Sequence, residues 1–199
     1  MKNFAIAKWL SIASVLSITI FLQLQWFAFS PIAYEASGYF SMPLAAINNI
    51  YIVCFLIYFI AHLFTIFTAD RYGPGFNIKA AIIFVTLSQV FRILSSVIDP
   101  KIRINGEDED SMGVAYIMAF VSSVLAIIAG AMVTIMPAKV ASLWFPESQR
   151  TFANSMGAMG IQLGLLVTDV IGPLIVDQDA NQSQFVNLSM AHLGFALHK

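Results

Sequence analysis

The sequence predicts an all-α fold, a polytopic bundle of transmembrane helices. Three observations lead to this class. Of the 199 residues, 59% are hydrophobic and only 11% are charged, whereas soluble domains are about 45–50% apolar and about 25% charged. The apolar residues form runs of about 20 or more, the length that an α-helix needs to cross roughly 30 Å of hydrocarbon. These runs lack the strict alternation that is typical of β-barrel strands.

The same composition excludes other classes. A soluble globule with so little charge would expose large apolar patches and aggregate, and a disordered chain would be polar and rich in charge. The net charge of −1 gives no sign of nucleic-acid binding, and the single cysteine, Cys54, has no partner for an internal disulfide. No residues have the spacing of a metal site or of a catalytic motif. We therefore expect no metal, no cofactor, no nucleic acid and no enzymatic activity.

Five spans are predicted along one transmembrane domain, 1–199, followed by a truncated sixth helix from about residue 185. The spans cover about 9–29, 43–68, 78–97, 113–136 and 151–176. The first apolar run follows Lys2 and Lys8 and superficially resembles a signal peptide. It is longer than the 7–15 apolar residues that are typical of such a peptide, and we interpret it as the first retained span.

The charges of the loops predict the orientation of the bundle. A cytoplasmic N-terminus places six basic residues on the inside and two on the outside, in agreement with the positive-inside rule. The inner set is Lys2, Lys8, Arg71, Lys79, Lys139 and Arg150. An acidic segment at 107–110 and the sequons at Asn181 and Asn187 then fall outside. We expect an integral, multi-pass protein, most simply of the plasma membrane.

Polar residues of the fifth span recur every seven positions. Each of Ser155, Gln162 and Asp169 lies within about 20° of the next on a helix, and a ridge of small residues occupies nearly the opposite side. Such a ridge packs closely against another helix, and its members are Ala153, Gly157, Gly160 and Gly164. The polar line is then expected to face a cavity. An interhelical hydrogen bond is an equal alternative for Gln162, and an ion pair near the surface is favoured for Asp169.

The second span carries a stripe of polar residues. Tyr51, Tyr58, His62 and Thr65 share one side of this helix. Polar groups inside a membrane are costly and usually face protein or a water-filled path. We expect Tyr58 and His62 either to line a pathway or to belong to an ordinary buried polar face.

On the third span, Gln89, Arg92 and Ser96 align. Gln89 is a candidate for the lining of a cavity. We expect Arg92 to lie in the outer leaflet, from which a long basic side chain can extend to water. A second hypothesis pairs Arg92 with Asp169.

Trp26 lies near the outer end of the first span, three residues after Gln23. Its position alone favours a tryptophan of the interfacial aromatic belt. The alternative is an aromatic platform that binds a quaternary amine through a cation–π interaction.

The loop after the second span contains the first of two familiar motifs. Asp70-Arg71-Tyr72-Gly73 is similar to the D-R-x-G core of the major facilitator signature loop, although Ile66 and Pro74-Gly75 replace the usual glycine and basic pair. The aspartate is suited to meet a helix N-terminus and the arginine to meet an acid. Asp70, Arg71 and Gly73 would then latch one conformation. The alternative is a charged turn that caps the span.

The second motif is longer and more specific. The run M-P-A-K-V-A-S-L-W-F from Met136 to Phe145 is followed by G-I-Q-L-G at 160–164 and by Gly172-Pro173. Together with the Gln25-Trp26 pair, these residues resemble the feline leukaemia virus subgroup C receptor-related family, which consists of major facilitator transporters. The resemblance covers most of the chain and corresponds to the amino-terminal half of such a transporter.

This resemblance implies twelve spans in two six-helix halves, with the substrate held between the halves at mid-membrane. Members of the family transport choline and related amines, and haem export has also been attributed to them. The amine site of the family uses a first-span tryptophan and a fifth-span glutamine, which correspond here to Trp26 and Gln162. A trimethylammonium group prefers an aromatic face, and the glutamine orients the substrate hydroxyl.

Two functional hypotheses follow. The first is alternating-access transport of a small organic cation, choline or a related amine, with haem as another substrate of the family. Its partners are the lipid bilayer, the substrate and a missing carboxy-terminal half or partner chain. The second hypothesis is a truncated membrane fragment or assembly partner that does not transport.

Overall fold

The computed structural model describes residues 2–99, 113–176 and 182–197, and the side chains within 6–99, 113–176 and 183–191. Its elements are eight α-helices in these ranges: α1 (Lys2–Trp26), α2 (Ala33–Phe40), α3 (Leu44–Tyr72), α4 (Pro74–Val97), α5 (Val114–Thr134), α6 (Met136–Trp144), α7 (Glu147–Ile175) and α8 (Gln182–Leu197). The acidic segment 107–110 and Asn181 lie outside the described residues. Asn187 lies within α8 and is exposed.

Within the described ranges, five stretches are long and apolar enough to cross a membrane: Ile6–Trp26, Leu44–Tyr72, Pro74–Val97, Val114–Trp144 and Glu147–Ile175. The predicted all-α bundle with five spans is confirmed. The first helix ends at Trp26, before the expected end at residue 29, and α2 occupies what we expected to be a loop. The fourth span extends to Trp144, beyond the expected residue 136, because α6 continues from α5 after a break at Ile135.

Prolines determine where several of these helices begin. Pro74 and Pro137 occupy the first turns of α4 and α6, where the missing N–H costs nothing. Pro43 and Pro146 precede α3 and α7 in the extended conformation. The loop between α3 and α4 therefore consists only of Gly73, which adopts a positive φ of 80°.

The helices pack in pairs. The most extensive contacts join α1 to α7, α4 to α5, and α3 to α5, while α8 lies against α4 and α2 against α3. Two clusters of buried apolar side chains fill the bundle. One surrounds Phe40 and Ile47 near the end that carries α2, and the other surrounds Ile12 and Met136 towards the opposite end. Following the predicted orientation, we call the end of the bundle that carries α2 the outer end, and the opposite end, which carries Gly73, the inner end.

Small residues of α7 allow α1 to approach closely. A Cβ atom at Gly160 would lie 2.7 Å from the main-chain oxygen of Leu16, and one at Gly164 would lie 2.5 Å from Cβ of Gln23. Gly157 packs in the same way on Pro137 of α6. The close packing predicted for the ridge is confirmed, and its partners are α1 and α6.

The bundle exposes large apolar side chains, most densely on α3. Phe55, Leu56, Phe59 and Ile60 of this helix are each about two-thirds exposed. An apolar surface of this extent is unfavourable in water and suits contact with lipid or with other transmembrane helices.

Candidate functional site

Trp26 ends α1 within a group of aromatic rings. Its indole Nε1 donates a hydrogen bond of 2.6 Å to Oε1 of Gln23. The ring meets Phe27 edge-on with centroids 4.0 Å apart, and its centroid lies 6.4 Å from that of Tyr51 on α3. Phe27 and Tyr51 stack at 6.0 Å. We call Trp26, Phe27 and Tyr51 the aromatic cluster.

The aromatic cluster joins the outer end of α1 to α3. Because Gln23 occupies the indole N–H, the half-buried ring of Trp26 interacts with any further group through its π surface. The spacing of Gln23 and Trp26 indicated their contact, since residues three apart are neighbours on a helix. Sequence reasoning missed Phe27, because the expected first span continued to residue 29 and its contact with Tyr51 joins residues far apart in the chain.

Gln162 lies on the exposed side of α7, two residues from both Gly160 and Gly164. It makes no hydrogen bond to any residue that the structure describes, and Ser155 and Asp169 are exposed in the same way. The contacts of the two glycines with α1 place Gln162 about 10 Å below Trp26, at 1.5 Å per residue. Trp26 and Gln162 therefore occupy adjacent, packed helices without touching.

The polar stripe of α3 separates into three environments. Tyr51 belongs to the aromatic cluster. Tyr58 and His62 are half-buried and stack with centroids 5.5 Å apart, and the Tyr58 hydroxyl donates to Oγ1 of Thr134 at 3.2 Å. His62 Nδ1 is buried without a hydrogen-bond partner among the described residues. Thr65 is fully buried and donates to the main-chain oxygen of Ala61.

Arg92 is buried in the interior of the bundle, with only 2% of its surface exposed. Its Nη2 donates to the main-chain oxygen of Gln25 at 2.8 Å, and its Nε donates to Oγ of Ser122 at 3.1 Å. The guanidinium carbon lies 4.3 Å from the ring centre of Phe29. The interpretation of Arg92 as a side chain that reaches water was wrong. The pairing with Asp169 was also wrong, because that carboxylate is on the exposed side of α7.

Gln89 is also buried and does not line an open surface. Its Nε2 donates to the main-chain oxygen of Ser189 at 2.8 Å, and its Oε1 accepts from Nε2 of Gln25. The buried side chains of Gln25, Gln89, Arg92, Ser122 and Ser123 form what we call the polar network. This network connects α1, α4, α5 and α8.

At the inner end, the signature-like loop contacts the second motif. Asp70 at the end of α3 forms an ion pair of 2.5 Å with Nζ of Lys139 on α6. We expected Asp70 to meet a helix N-terminus, but its partner in the structure is the side chain of Lys139. Arg71 is exposed beside the ring of Tyr72 and forms no ion pair with a described acid. Within 2–99, 113–176 and 182–197, no group of three His, Cys, Asp or Glu side chains is arranged to hold a metal ion.

Comparison with known proteins shows that the sequence of this chain is similar to those of membrane transporters. The profile of the Major Facilitator Superfamily matches residues 15–194. Solute carrier family 49 member A3 of Xenopus tropicalis is 28% identical over 174 residues, which are 86% of this chain and 34% of that protein. The protein of the same name from Danio rerio is 21% identical over 170 residues, 85% of this chain and 34% of that protein. An uncharacterized MFS-type transporter of Caenorhabditis elegans is 25% identical over 177 residues, 87% of this chain and 27% of that protein.

The chain thus spans about a third of the length of the curated relatives that it matches. The superfamily match includes most of the described bundle, from α1 into α8. With the five apolar spans, it identifies an integral, multi-pass membrane protein. The solute carrier relatives support the resemblance to the receptor-related family and to its amino-terminal half. This chain belongs to the Major Facilitator Superfamily.

Proposed function

We propose that this chain forms part of a major facilitator carrier that moves a small organic cation, choline or a related amine, across the membrane. One observation carries the choice of substrate class. The indole N–H of Trp26 is bonded to Gln23, and the half-buried ring presents its π surface beside Phe27 and Tyr51. Haem, which the sequence resemblance also suggests, has no comparable feature in its favour.

The chemistry of the aromatic cluster suits a quaternary ammonium group. Such a group has no N–H to donate and spreads its charge over methyl groups, so it is attracted by the negative face of an aromatic ring. One cation–π contact contributes about 0.5–2 kcal/mol. Gln162, about 10 Å lower on the neighbouring helix by helical rise, offers an amide that can bond the hydroxyl of an extended amino alcohol.

A carrier of this kind works by alternating access, in which two helical bundles rock about a central site. Trp26 and Gln162 would supply one side of that site, and a second bundle would supply the other. The Asp70–Lys139 pair joins α3 to α6 at the inner end and would stabilise one of the two conformations.

Binding tests the substrate class directly. Radiolabelled choline is titrated against the 199-residue chain in lipid nanodiscs, with Trp26→Ala, Trp26→Phe and the control Trp9→Ala. A lost cation–π contact weakens binding by about 10-fold in Trp26→Ala. Phe retains an aromatic face and should lose less, and Trp9, at the inner end of α1, should matter little. Unchanged affinity in Trp26→Ala would exclude the aromatic cluster as the amine site.

A second candidate function, a membrane fragment or assembly partner that does not transport, has one observation in its favour. The large apolar side chains on α3 are exposed and would suit a partner bundle. We expect vesicles that contain only this chain to take up no choline above the level of empty vesicles. Uptake by this chain alone that is lost in Trp26→Ala would overturn this candidate.

The orientation is part of the proposal. Basic residues cluster at the inner end, where Lys8, Lys139 and Arg150 lie, and this favours a cytoplasmic N-terminus in the plasma membrane. An epitope placed before Met1 should be stained at the cell periphery, and only after permeabilisation. Staining of intact cells would reverse the orientation, and staining of internal membranes alone would change the location.

A further inference from the structure

A small cavity lies at the outer end, enclosed by four parts of the chain. Its walls include Phe29 after α1, Tyr39 of α2, Arg92 and Ser95 of α4, and Phe185 and Ser189 of α8. Its volume is about 10 Å³, near the least space, roughly 10–15 Å³, that admits one water-sized particle. None of the three residues of the aromatic cluster lines this cavity.

The charge of Arg92 is not balanced by any carboxylate that the structure places beside it. Its Nε and Nη2 donate to neutral oxygens, and its buried Nη1 has no hydrogen-bond partner among the described residues. The two ion pairs found in the described ranges, Asp70–Lys139 and Glu147–Arg150, do not involve it. A buried guanidinium without a counter-charge is costly, above all inside a membrane, and the ring of Phe29 offsets only part of that cost.

Two serine hydroxyls are further donors among the residues that line the cavity. Ser95 and Ser189 are at least 96% buried, and neither hydroxyl bonds to another residue in the described ranges. The Tyr39 hydroxyl donates to the main-chain oxygen of Ser96 at 3.2 Å. Burial, together with the charge of Asp99, raises the pKa of Tyr39 to about 12, so this phenol stays neutral at physiological pH.

We propose that this cavity binds a single halide ion, chloride under physiological conditions, between Arg92 Nη1 and the hydroxyls of Ser95 and Ser189. The ion would supply the counter-charge that the guanidinium lacks and would accept the hydrogen bonds that these donors do not make elsewhere. Chloride is larger than water, so the side chains around the cavity would move apart slightly to admit it, whereas phosphate or a carboxylate would need far more space. A water molecule would fit too but would leave the charge of Arg92 unbalanced.

Thermal unfolding tests for the ion. The 199-residue chain is unfolded in detergent in sodium chloride, sodium bromide and sodium gluconate at equal ionic strength. A ligand that binds only the folded state stabilises it, and we expect a Tm about 2–4 °C higher in either halide. Equal Tm values in chloride and gluconate across a concentration series would overturn the proposal.

Substitutions locate the effect. The halide-dependent rise in Tm should vanish in Arg92→Met, and it should shrink in the double variant Ser95→Ala/Ser189→Ala, which keeps the guanidinium and its bonds to α1 and α5. Thr168→Ala is the matched control, because Thr168 is buried but its hydroxyl bonds to Gly164 of its own helix, α7, which does not line the cavity. A rise of wild-type size in the double variant would contradict the proposed site.

Anomalous diffraction from crystals grown in bromide distinguishes the ion from water. We expect a bromide peak within hydrogen-bonding distance of Arg92 Nη1. Density at that position without an anomalous signal would identify water and overturn the proposal, even if bulk halide raised the Tm.

Discussion

Arg92 on α4 donates a hydrogen bond of 2.8 Å from Nη2 to the main-chain oxygen of Gln25, one residue before α1 ends at Trp26. The last carbonyl groups of a helix lack partners within it and carry partial negative charge. The buried guanidinium therefore caps α1 and holds the segment that carries the aromatic cluster against α4 and α5.

Removal of this cap is expected to destabilise the bundle. Arg92→Met leaves the oxygen of Gln25 without its partner and removes one of the bonds of the Ser122 hydroxyl, and we expect a loss of about 2–4 kcal/mol in unfolding free energy. The near-ultraviolet circular dichroism of Trp26 should change at the same time. Lys79→Met removes an exposed basic residue from the same helix and should leave both measurements near wild type. A stable variant with an unchanged tryptophan signal would contradict the capping role.

The close contact of α1 and α7 predicts a specific sensitivity at Gly164. A Cβ there would lie 2.5 Å from that of Gln23 and 2.9 Å from the main-chain oxygen of Ile20, so Gly164→Ala must separate the helices and should cost about 1–3 kcal/mol. Gly130→Ala on α5 is the control, since its Cβ would have open space. Thermal unfolding in detergent compares the two. Equal Tm values would indicate that α1 and α7 pack less closely.

The ion pair of Asp70 and Lys139 should contribute little to stability by itself. Both side chains are partly exposed, at 62% and 39%, and such pairs contribute about 0.2–1 kcal/mol. A double-mutant cycle with Asp70→Asn and Lys139→Gln measures the coupling. The charge exchange Asp70→Lys/Lys139→Asp should restore most of the stability that either single substitution removes. A coupling energy of zero, together with no recovery in the exchanged variant, would show that the two groups do not interact in solution.

The turn at Gly73 depends on a backbone conformation that other residues avoid. Gly73 has a φ of 80° and a ψ of 166° with no atom near its missing Cβ, so the cost of Gly73→Ala arises from the backbone alone and amounts to about 1–3 kcal/mol. Gly75→Ala, also in open space but inside the first turn of α4, should be neutral or slightly stabilising. If both variants lower the Tm equally, the positive φ is not what makes glycine necessary here.

Much of the architecture followed from the sequence because the membrane imposes simple rules. Apolar runs of span length marked the five membrane crossings, and the ridge of Gly157, Gly160 and Gly164 indicated one close helix contact. The residues at which the spans end were harder to predict from the sequence. The end of α1 at Trp26 lies inside a continuous apolar run, and α6 extends the fourth span beyond Pro137 and Lys139, where the sequence becomes less apolar. Both ends depend on how the next segment packs.

The sequence by itself determined that this chain is a helical membrane protein of the Major Facilitator Superfamily, because span length, lipid compatibility and local motifs are encoded over short distances. Only the tertiary structure decided where the polar side chains go. Arg92 caps α1 instead of reaching water, and Gln89 is enclosed by α1, α4 and α8, while Gln162 stays exposed on α7. The physical reason is that helical periodicity gives the side on which a residue lies, whereas the partner on that side is set by contacts between residues far apart in the chain.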